Sequence, residues 1–474
     1  MNTNPDDTIC AISSAAGVGG IGVLRMSGPA AHAILKAVFR PRKRTRSFAS
    51  HRLYLGWVFD PDTNSDLDEV FAVFMKAPRT YTRAPMAEVY SHGGPAVQRL
   101  ILALMMRQGA RLAEPGEFTK RAFLSGRIDL AQAESVLDII ESESATELAC
   151  ALAHVQGLLS ARINAAKQEV LTLLAEVEAE IDFPDEALDL PPEAGRAARL
   201  GAVRAGIARL ISSYDEGRAV RQGVAVLIVG RTNVGKSSLL NALVQRDRAI
   251  VTPIAGTTRD LVEDTIRIKG VKFTLTDTAG LRPPGDAIER EGIERVRKRI
   301  PETDIILWVI DASETYTRED EEVWNAIDCK KVIAVLNKAD LPPMIDAGDG
   351  DGPGIDGDGR GRGLAAIAAS RINVSALTGS GIDDLKQLLI EANASLLGER
   401  EGAHLLITNV RHKDALVKAE AALTRAGRCL ESDGPIAFFA FELKDALRCL
   451  GEITGETCAV DVLDEIFSRF CIGK

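Results

Sequence analysis

The chain has 474 residues, of which 46% are hydrophobic and 26% charged, and its formal net charge at pH 7 is −10. This length fits about three globular domains with full cores, and no apolar run approaches the roughly 18 residues of a membrane-spanning helix. The negative charge argues against a nucleic-acid-binding surface over the whole protein, so any RNA contact must come from local basic patches or a partner. The seven cysteines are scattered and contain no C-x-x-C pair, which excludes a disulfide framework and predicts a reduced, cytoplasmic protein.

Residues 1 to about 120 have the pattern of an α/β domain. Residues 21–25 and 70–75 are typical of strands, and residues 96–106 of a helix. His92 precedes two glycines and is interpreted as a turn residue rather than a catalytic one. A second glycine cluster lacks the spacing of a dinucleotide-binding motif and is also interpreted as a turn: Gly17, Gly19, Gly20 and Gly22.

From Asp129 onward, apolar residues recur at helical spacing. After a first run over 130–140, the pattern from Leu152 to Val177 predicts one continuous helix of about seven turns. We expect this helix to end at Phe183, before a proline. A stripe of this length is typical of a helix bundle or of a dimer seam. Because residues 386–427 and 442–470 resume the helical pattern, the segment between is predicted to be inserted into a helical domain.

A phosphate-binding loop follows a buried strand near the middle of the chain. Residues 224–229 are apolar, the motif G-x-x-x-x-G-K-S occupies 230–237, and apolar residues then continue at helical spacing. The glycines let backbone N–H groups turn toward phosphate oxygens, and the helix N-terminus adds a partial positive charge. In this pattern Lys236 reaches the β- and γ-phosphates and Ser237 binds Mg²⁺. A P-loop domain with a doubly wound sheet is therefore predicted.

Further motifs follow in the order that a GTPase requires. Thr258 can complete the coordination of Mg²⁺, Asp277 can hold its water shell, and the Gly280 N–H can meet the γ-phosphate. Asp340, in N-K-A-D, can accept hydrogen bonds from guanine N1–H and N2–H₂, which adenine does not offer. GTP specificity is therefore predicted, with this binding set: Asn233, Val234, Gly235, Lys236, Ser237, Ser238, Thr252, Pro253, Ile254, Ala255, Gly256, Thr257, Thr258, Asp277, Thr278, Ala279, Gly280, Asn337, Lys338, Asp340, Ser375, Ala376 and Leu377.

The residue after D-T-A-G bears on hydrolysis. Many small GTPases place a glutamine there to orient the attacking water, whereas this chain has Leu281. An aliphatic side chain cannot orient water, so another group must do so. The alternative from this motif alone is a GTP-binding switch without useful hydrolysis.

Residues 343–363 form an Asp/Gly-rich insertion, in which aspartate and glycine alternate over much of the run that begins at Asp346. The spacing does not fit an EF-hand, which needs a bidentate acid at the twelfth position. A flexible, solvated insertion is predicted rather than a calcium site.

A further set of motifs lies at residues 7–9, 20–28, 115–124, 129–134, 181–186, 254–260 and 451–455 and in the terminal Phe-Cys-Ile-Gly-Lys at 470–474. These segments resemble the MnmE (TrmE) family of tRNA modification GTPases, and the resemblance covers nearly the whole chain. The terminal motif is highly specific for that family.

The resemblance implies an N-terminal α/β folate-binding domain that dimerises (1–122), a helical domain (123–218 and 386–474) and a GTPase domain inserted in it (219–385). It also implies a homodimer that works with an FAD-dependent MnmG-type partner, as a heterotetramer, on the wobble uridine of certain tRNAs. The implied product carries an aminomethyl or carboxymethylaminomethyl group at carbon 5. The implied cofactors are GTP, Mg²⁺, K⁺ and a 5-formyl- or methylene-tetrahydrofolate, with FAD and NADH on the partner.

The folate site implied by the resemblance consists of Arg25, Glu88, Arg127 and Lys474. Basic groups suit glutamyl carboxylates, and an acid can accept hydrogen bonds from a pterin. Cys471 lies in the terminal motif, where the implied role is either in the modification chemistry or structural. The chain departs from the family beside this site, with Arg83-Ala84-Pro85 in place of Gly-Glu-Asp and residues 15–18 in place of Pro-Pro-Gly-Arg.

In the GTPase domain, the resemblance implies a potassium site formed by Asn233, Thr252, Ile254 and Thr257, beside the Mg²⁺ ligands Ser237 and Thr258. A monovalent cation there stabilises charge on the transferring phosphoryl group as an arginine finger does. The implied group that orients water is Glu289, and Pro283-Pro284 just before it departs from the family's sequence.

The competing interpretation is a ribosome-assembly or regulatory GTPase with no RNA-modifying role. Such proteins share the GTPase motifs but usually carry a basic RNA-binding module. This acidic chain shows none, and that interpretation leaves the Cys-Ile-Gly-Lys terminus unexplained.

Overall fold

The computed structural model describes residues 7–43, 47–183, 193–245, 263–269, 271–277, 299–327, 331–345, 371–397, 405–432 and 435–474. The chain divides into two compact units. One comprises Met1–Glu141, Ala151–Ile211 and Arg411–Lys474, and the other comprises Ser142–Cys150 and Ser212–Val410. Within the described ranges, no helix combines the length and apolar character needed to cross a membrane.

The first unit contains a seven-stranded sheet with the order β3-β4-β5-β6-β2-β1-β7. All its neighbouring strands are antiparallel except β1 and β7. Helices α1 (Ala31–Val38) and α2 (Pro95–Arg107) bury their apolar faces in the core of this sheet. The strands are β1 (Ile9–Ile12), β2 (Gly19–Ser27), β3 (Phe39–Pro41), β4 (Arg52–Asp60), β5 (Ser65–Met75), β6 (Met86–Gly93) and β7 (Arg111–Leu112).

The turn interpretation is wrong for His92 and for three of the four glycines between residues 17 and 22. Gly17 lies in a bend with a φ of +120°, but the other three glycines of its cluster lie in β2, and His92 lies in β6. The physical reason is close approach between neighbours, because a Cβ on Gly93 would lie 2.2 Å from the carbonyl oxygen of Gly19. A Cβ on Gly22 would likewise lie 2.3 Å from Nε2 of Gln98. Glycine inside a strand often marks such a contact rather than a turn.

The helices of the first unit include α3 (Glu117–Leu124), α4 (Leu130–Glu141), α6 (Leu158–Asp182) and α7 (Glu193–Ser212). The C-terminal part adds α12 (Val410–Glu431), α13 (Ile436–Thr454) and α14 (Val460–Ser468). Helix α6 packs against α13 and buries Val170, Leu173 and Val177. The long apolar stripe therefore packs within a helical bundle, and α6 ends before Phe183 as predicted.

The prediction of one continuous helix through residues 152–177 is wrong at one point. Helix α5 (Ala145–Val155) ends before α6 begins, and Gly157 between them has a φ of +85°. A left-handed glycine ends a helix at little steric cost. The Gln132 side-chain amide donates a hydrogen bond to the Val155 carbonyl at 2.8 Å. Helix α4 thus supplies a hydrogen-bond donor to the carbonyl group at the C-terminal end of α5.

The second unit contains a six-stranded sheet with the order β13-β12-β11-β8-β10-β9. Its strands are parallel except β9, which pairs antiparallel with β10 at the edge. The predicted P-loop α/β architecture is confirmed. The elements are α8 (Tyr214–Gln222), β8 (Val224–Val229), α9 (Lys236–Gln245), β9 (Glu263–Ile268), β10 (Val271–Asp277), β11 (Ile305–Asp311), α10 (Arg318–Ile327), β12 (Lys331–Asn337), β13 (Arg371–Asn373) and α11 (Ile382–Leu397).

Both faces of this sheet are covered, which explains the continuous apolar runs of its strands. Val226 and Ile228 face one core, together with α9 and α11. Leu227 and Val229 face the other core, with α10 and the fully buried Trp308. The carboxyl ends of parallel strands share one edge of a sheet, and loops placed there form ligand sites in open α/β folds.

Candidate nucleotide site and N-terminal cluster

The phosphate loop, residues 230–235, connects β8 to α9 and needs glycine at two positions. Gly230 and Gly235 have φ values of +155° and +92°. A Cβ on Gly230 would lie 2.3 Å from the Val309 carbonyl oxygen, and one on Gly235 would lie 2.3 Å from Nδ2 of Asn337. Asn233 also adopts the left-handed region, with a φ of +64°, which asparagine tolerates better than most residues.

Lys236 and Ser237 begin α9 and lie where phosphate and metal are expected. The Lys236 ammonium donates hydrogen bonds to the carbonyl oxygens of Gly230 and Arg231, at 2.9 and 2.7 Å. The Ser237 hydroxyl donates to Oδ2 of Asp277, at the end of β10, at 2.7 Å. A hydroxyl and a carboxylate oxygen side by side are hard donors of the kind that Mg²⁺ prefers.

Asn337 connects the phosphate loop to the loop after β13. Its side chain is 2% exposed. The amide Nδ2 donates to the Val234 carbonyl at 2.8 Å, and Oδ1 accepts from the Ala376 N–H at 3.0 Å. The asparagine of N-K-A-D thus acts as a brace between two loops of the candidate site.

The base-recognition residues lie on the same edge of the sheet. Oδ1 of Asp340 accepts a hydrogen bond from the Ser375 hydroxyl at 2.5 Å, and Asp340 itself is exposed. Leu377 is 86% exposed. The structure therefore brings together Asp340 and the loop after β13, as the motif order predicts.

Sequence reasoning missed Asp311, which pairs in register with Asn337 at the ends of β11 and β12. Its Oδ2 lies 2.5 Å from Nζ of Lys338. Burial opposes ionisation of Asp311, but hydrogen bonds from Lys338 and Ser313 outweigh it and hold the pKa of this carboxyl below its usual value. An aspartate that ends a buried strand was the available signal, as it was for Asp277.

Several predicted residues lie outside the described residues, and their placement is not part of this structure. They are Thr252, Pro253, Ile254, Ala255, Gly256, Thr257, Thr258, Thr278, Ala279, Gly280, Leu281, Glu289 and residues 346–363 of the Asp/Gly-rich insertion.

In the N-terminal domain, Arg25 and Glu88 form an ion pair across β2 and β6, with Nε and Oε1 3.0 Å apart. The Tyr90 hydroxyl donates to Oε2 of Glu88 at 2.6 Å. Burial, together with this hydrogen bond, raises the pKa of Tyr90 to about 12, so Tyr90 remains a neutral donor at physiological pH.

Tyr81 lies beside both candidate arginines of this domain. The Cζ atoms of Arg25 and Arg127 lie 5.9 and 4.7 Å from the centroid of its ring. Its hydroxyl shares a hydrogen bond with Oγ1 of Thr119 at 3.0 Å. Arg127 also lines a cleft of about 370 Å³ that includes Asp129, Gln132 and residues 454–456.

The C-terminal segment 470–474 docks on the N-terminal domain. The Gly473 carbonyl accepts hydrogen bonds from the Ser13 hydroxyl at 3.0 Å and from Nη1 of Arg25 at 3.3 Å. The Phe118 N–H, at the start of α3, donates to the Lys474 carbonyl at 3.1 Å. The side chain of Cys471 is exposed. The four predicted folate residues are thus connected through Tyr81 and this segment.

Known proteins match nearly the whole chain. A family model described as the MnmE helical domain matches residues 130–471, and one described as the GTP-binding protein TrmE N-terminus matches residues 8–127. The tRNA modification GTPase MnmE of Geobacter sulfurreducens is 43% identical over 471 residues, with 99% of each chain covered. That of a Synechococcus strain is 43% identical over 472 residues, covering 99% of this chain and 98% of the relative. The G domain of the T. maritima FeoB iron transporter covers 36% of this chain and 98% of its own, with 21% identity and a TM-score of 0.26.

The chain belongs to the MnmE family. It is therefore a GTP-hydrolysing enzyme of tRNA modification. Arg83, one of the departures from the family motif given above, has a left-handed φ of +61°. A β-carbon in this backbone region is strained.

Proposed function

We propose that this MnmE-family protein acts, with an FAD-dependent MnmG-type partner, on carbon 5 of the wobble uridine of certain tRNAs. The product carries an aminomethyl or carboxymethylaminomethyl group. The similarity to MnmE proteins over the full length of the chain carries this proposal. The acidic net charge of −10 supports a division of labour in which the partner or a local patch contributes the contacts to RNA.

The N-terminal cluster is the proposed site of a reduced folate, which supplies the one-carbon unit when bound. Glu88 is held by Arg25 and Tyr90, so its carboxylate is fixed as an acceptor for the N–H groups of a pterin. Arg25 already pairs with Glu88 and with the Gly473 carbonyl. We therefore assign the glutamyl carboxylates to Arg127 and Lys474 rather than to Arg25.

GTP binding and hydrolysis are assigned to the second unit. The β- and γ-phosphates compete with the two loop carbonyls for the Lys236 ammonium, and Ser237 with Asp277 supplies oxygen to Mg²⁺ and its water shell. Thr258 completes the Mg²⁺ ligands in this proposal. K⁺ is assigned to Asn233 and the loop 252–257, and Glu289 to the attacking water in place of Leu281.

The proposed assembly is a homodimer through the N-terminal domain, in a heterotetramer with the flavoprotein, which supplies FAD and NADH. We propose the division into domains at 1–122, 123–218 with 386–474, and 219–385. A cytoplasmic location belongs to the same proposal.

The decisive experiment is mass spectrometry of tRNA nucleosides from cells that lack the protein, before and after complementation. We expect the 5-substituted wobble uridines to disappear and to return with the wild-type chain, but not with a Lys236→Ala variant that cannot bind the phosphates. An unchanged nucleoside profile, together with accumulation of ribosomal precursors, would favour the assembly GTPase instead.

A further inference from the structure

The position of Arg127 is determined by the way α3 ends. Gly126 has a φ of +68° and donates its N–H to the Phe123 carbonyl at 2.8 Å, while the Arg127 N–H reaches the Ala122 carbonyl at 3.0 Å. This pair of bonds is the Schellman arrangement of a helix C-terminus. It leaves the carbonyl of Ser125, the residue before the glycine, available to an outside donor.

That outside donor is Arg83. Its Nη1 donates to the Ser125 carbonyl at 2.8 Å. The loop that carries Arg83 is itself firmly held, because the buried Thr82 hydroxyl shares a hydrogen bond with Ser27 at 2.6 Å and Oγ1 of Thr80 donates to the Ala84 carbonyl at 2.6 Å. The side chain of Arg83 therefore fastens the turn bearing Arg127 to a rigid part of the sheet domain.

The same loop contributes the aromatic surface against which Arg127 lies. The Arg127 guanidinium is 4.7 Å from the Tyr81 ring centroid, a distance at which a cation is attracted to the ring face. Unlike Arg25, Arg127 forms no ion pair with a carboxylate within the described part of the chain. The Arg127 guanidinium is thus oriented by the Tyr81 ring and by the turn that Arg83 holds, and it remains available to an anion.

We propose that Arg83 and Tyr81 are positioning residues that orient Arg127, one of the residues lining the 370 Å³ cleft, so that its guanidinium binds a carboxylate of the folate glutamyl tail. The identity of this ligand rests on the proposed function. Preorganisation of a cation strengthens binding because less conformational freedom is lost when the ligand arrives.

The first test compares Arg83→Gly with Asn64→Gly. Asn64, in the hairpin between β4 and β5, also has a left-handed φ, of +53°. Glycine relieves backbone strain at both positions, so a purely structural role predicts equal or higher melting temperatures and unchanged ligand binding for both variants. The positioning role predicts that Arg83→Gly alone weakens binding of 5-formyltetrahydrofolate about tenfold. Tyr81→Phe should retain wild-type affinity, whereas Tyr81→Leu should lose it by a similar factor.

Calorimetry with 5-formyltetrahydropteroate, which lacks the glutamyl carboxylates, identifies the group that Arg127 meets. We expect wild type and Arg83→Gly to bind this truncated ligand equally. An equal loss of affinity for both ligands in Arg83→Gly would overturn the carboxylate assignment.

A ligand-free measurement keeps the inference separate from the folate proposal. We expect trypsin to cleave after Arg127 several-fold faster in Arg83→Gly than in wild type or Asn64→Gly, because the turn is no longer fastened. If wild type binds no folate while this acceleration is observed, the folate part of the proposed function fails and the positioning of Arg127 stands. Unchanged cleavage in Arg83→Gly would refute the positioning role itself.

Discussion

The brace formed by Asn337 makes a prediction that can be worked from the structure. In Asn337→Asp the side chain keeps its size and the oxygen that accepts the Ala376 N–H at 3.0 Å, but the amide that donates to the Val234 carbonyl at 2.8 Å becomes an oxygen. Leaving a buried carbonyl without a donor costs roughly 1–3 kcal/mol. The phosphate loop should therefore lose about 1–3 kcal/mol of stabilisation in the folded, GTP-binding arrangement.

This loss should appear as a weakening of GTP affinity by roughly 5- to 150-fold, measured by titration with a fluorescent GTP analogue. The matched control is Asn373→Asp, which introduces the same charge at an exposed position on the neighbouring strand β13. We expect the control to bind GTP as wild type does. Affinity within threefold of wild type for Asn337→Asp would refute the idea that this side chain braces the loop.

Further predictions concern the base, the terminal cysteine, the cation and the first unit. Asp340→Asn should exchange a preference for GTP for one for xanthosine triphosphate, whose exocyclic oxygen replaces the amino donor; unaltered GTP affinity would contradict the assignment. Cys471→Ser should hydrolyse GTP normally yet leave the wobble uridine unmodified, and full modification by this variant would leave only a structural role. Glu289→Ala should bind GTP normally but turn over roughly 10²- to 10³-fold more slowly, and Asn233→Ala should lose the difference between K⁺ and Na⁺; equal wild-type rates in the two salts would refute the cation mechanism. Burial opposes ionisation of Glu134, but His412 and Arg411 outweigh it and lower its pKa to about 2, so Glu134→Gln should lower the free energy of unfolding at pH 7 by about 3 kcal/mol. Because the pKa is depressed in the folded state, this difference in urea titrations should shrink as pH falls from about 4.5 toward 2, and a difference that is constant with pH would exclude the ion pair as its source.

Features whose information is local could be predicted from the amino-acid sequence. One short stretch of sequence predicts a buried strand, a glycine-rich loop and a helix that begins at Lys236. The structure places β8 and α9 at these positions. Among the described residues, the phosphate loop, Asp277, Asn337 and the loop after β13 likewise lie together, because parallel strands bring successive loops to one edge of the sheet.

Other features depend on residues that are distant in the sequence, and only the folded chain shows them. The glycines of β2 and β6 have the sequence pattern of turn residues. In the folded chain, however, Gly19 approaches Gly93 so closely that a β-carbon on Gly93 would clash with the Gly19 carbonyl oxygen. Gly157 breaks the apolar stripe although the helical spacing continues on both sides of it, because periodicity registers which face is buried and not whether the backbone stays helical.

The N-terminal cluster also depends on contacts between residues that lie far apart in the sequence. Ser13 and Gly473 share a hydrogen bond, and Arg83 reaches the turn that carries Arg127, yet no spacing in the sequence relates these positions. Their side-chain types indicated possible partners, but only the folded backbone selects which partners meet, since long-range contacts arise from the packing of whole elements. Local chemistry thus determined what each motif could bind, and the fold determined which residues hold it in place.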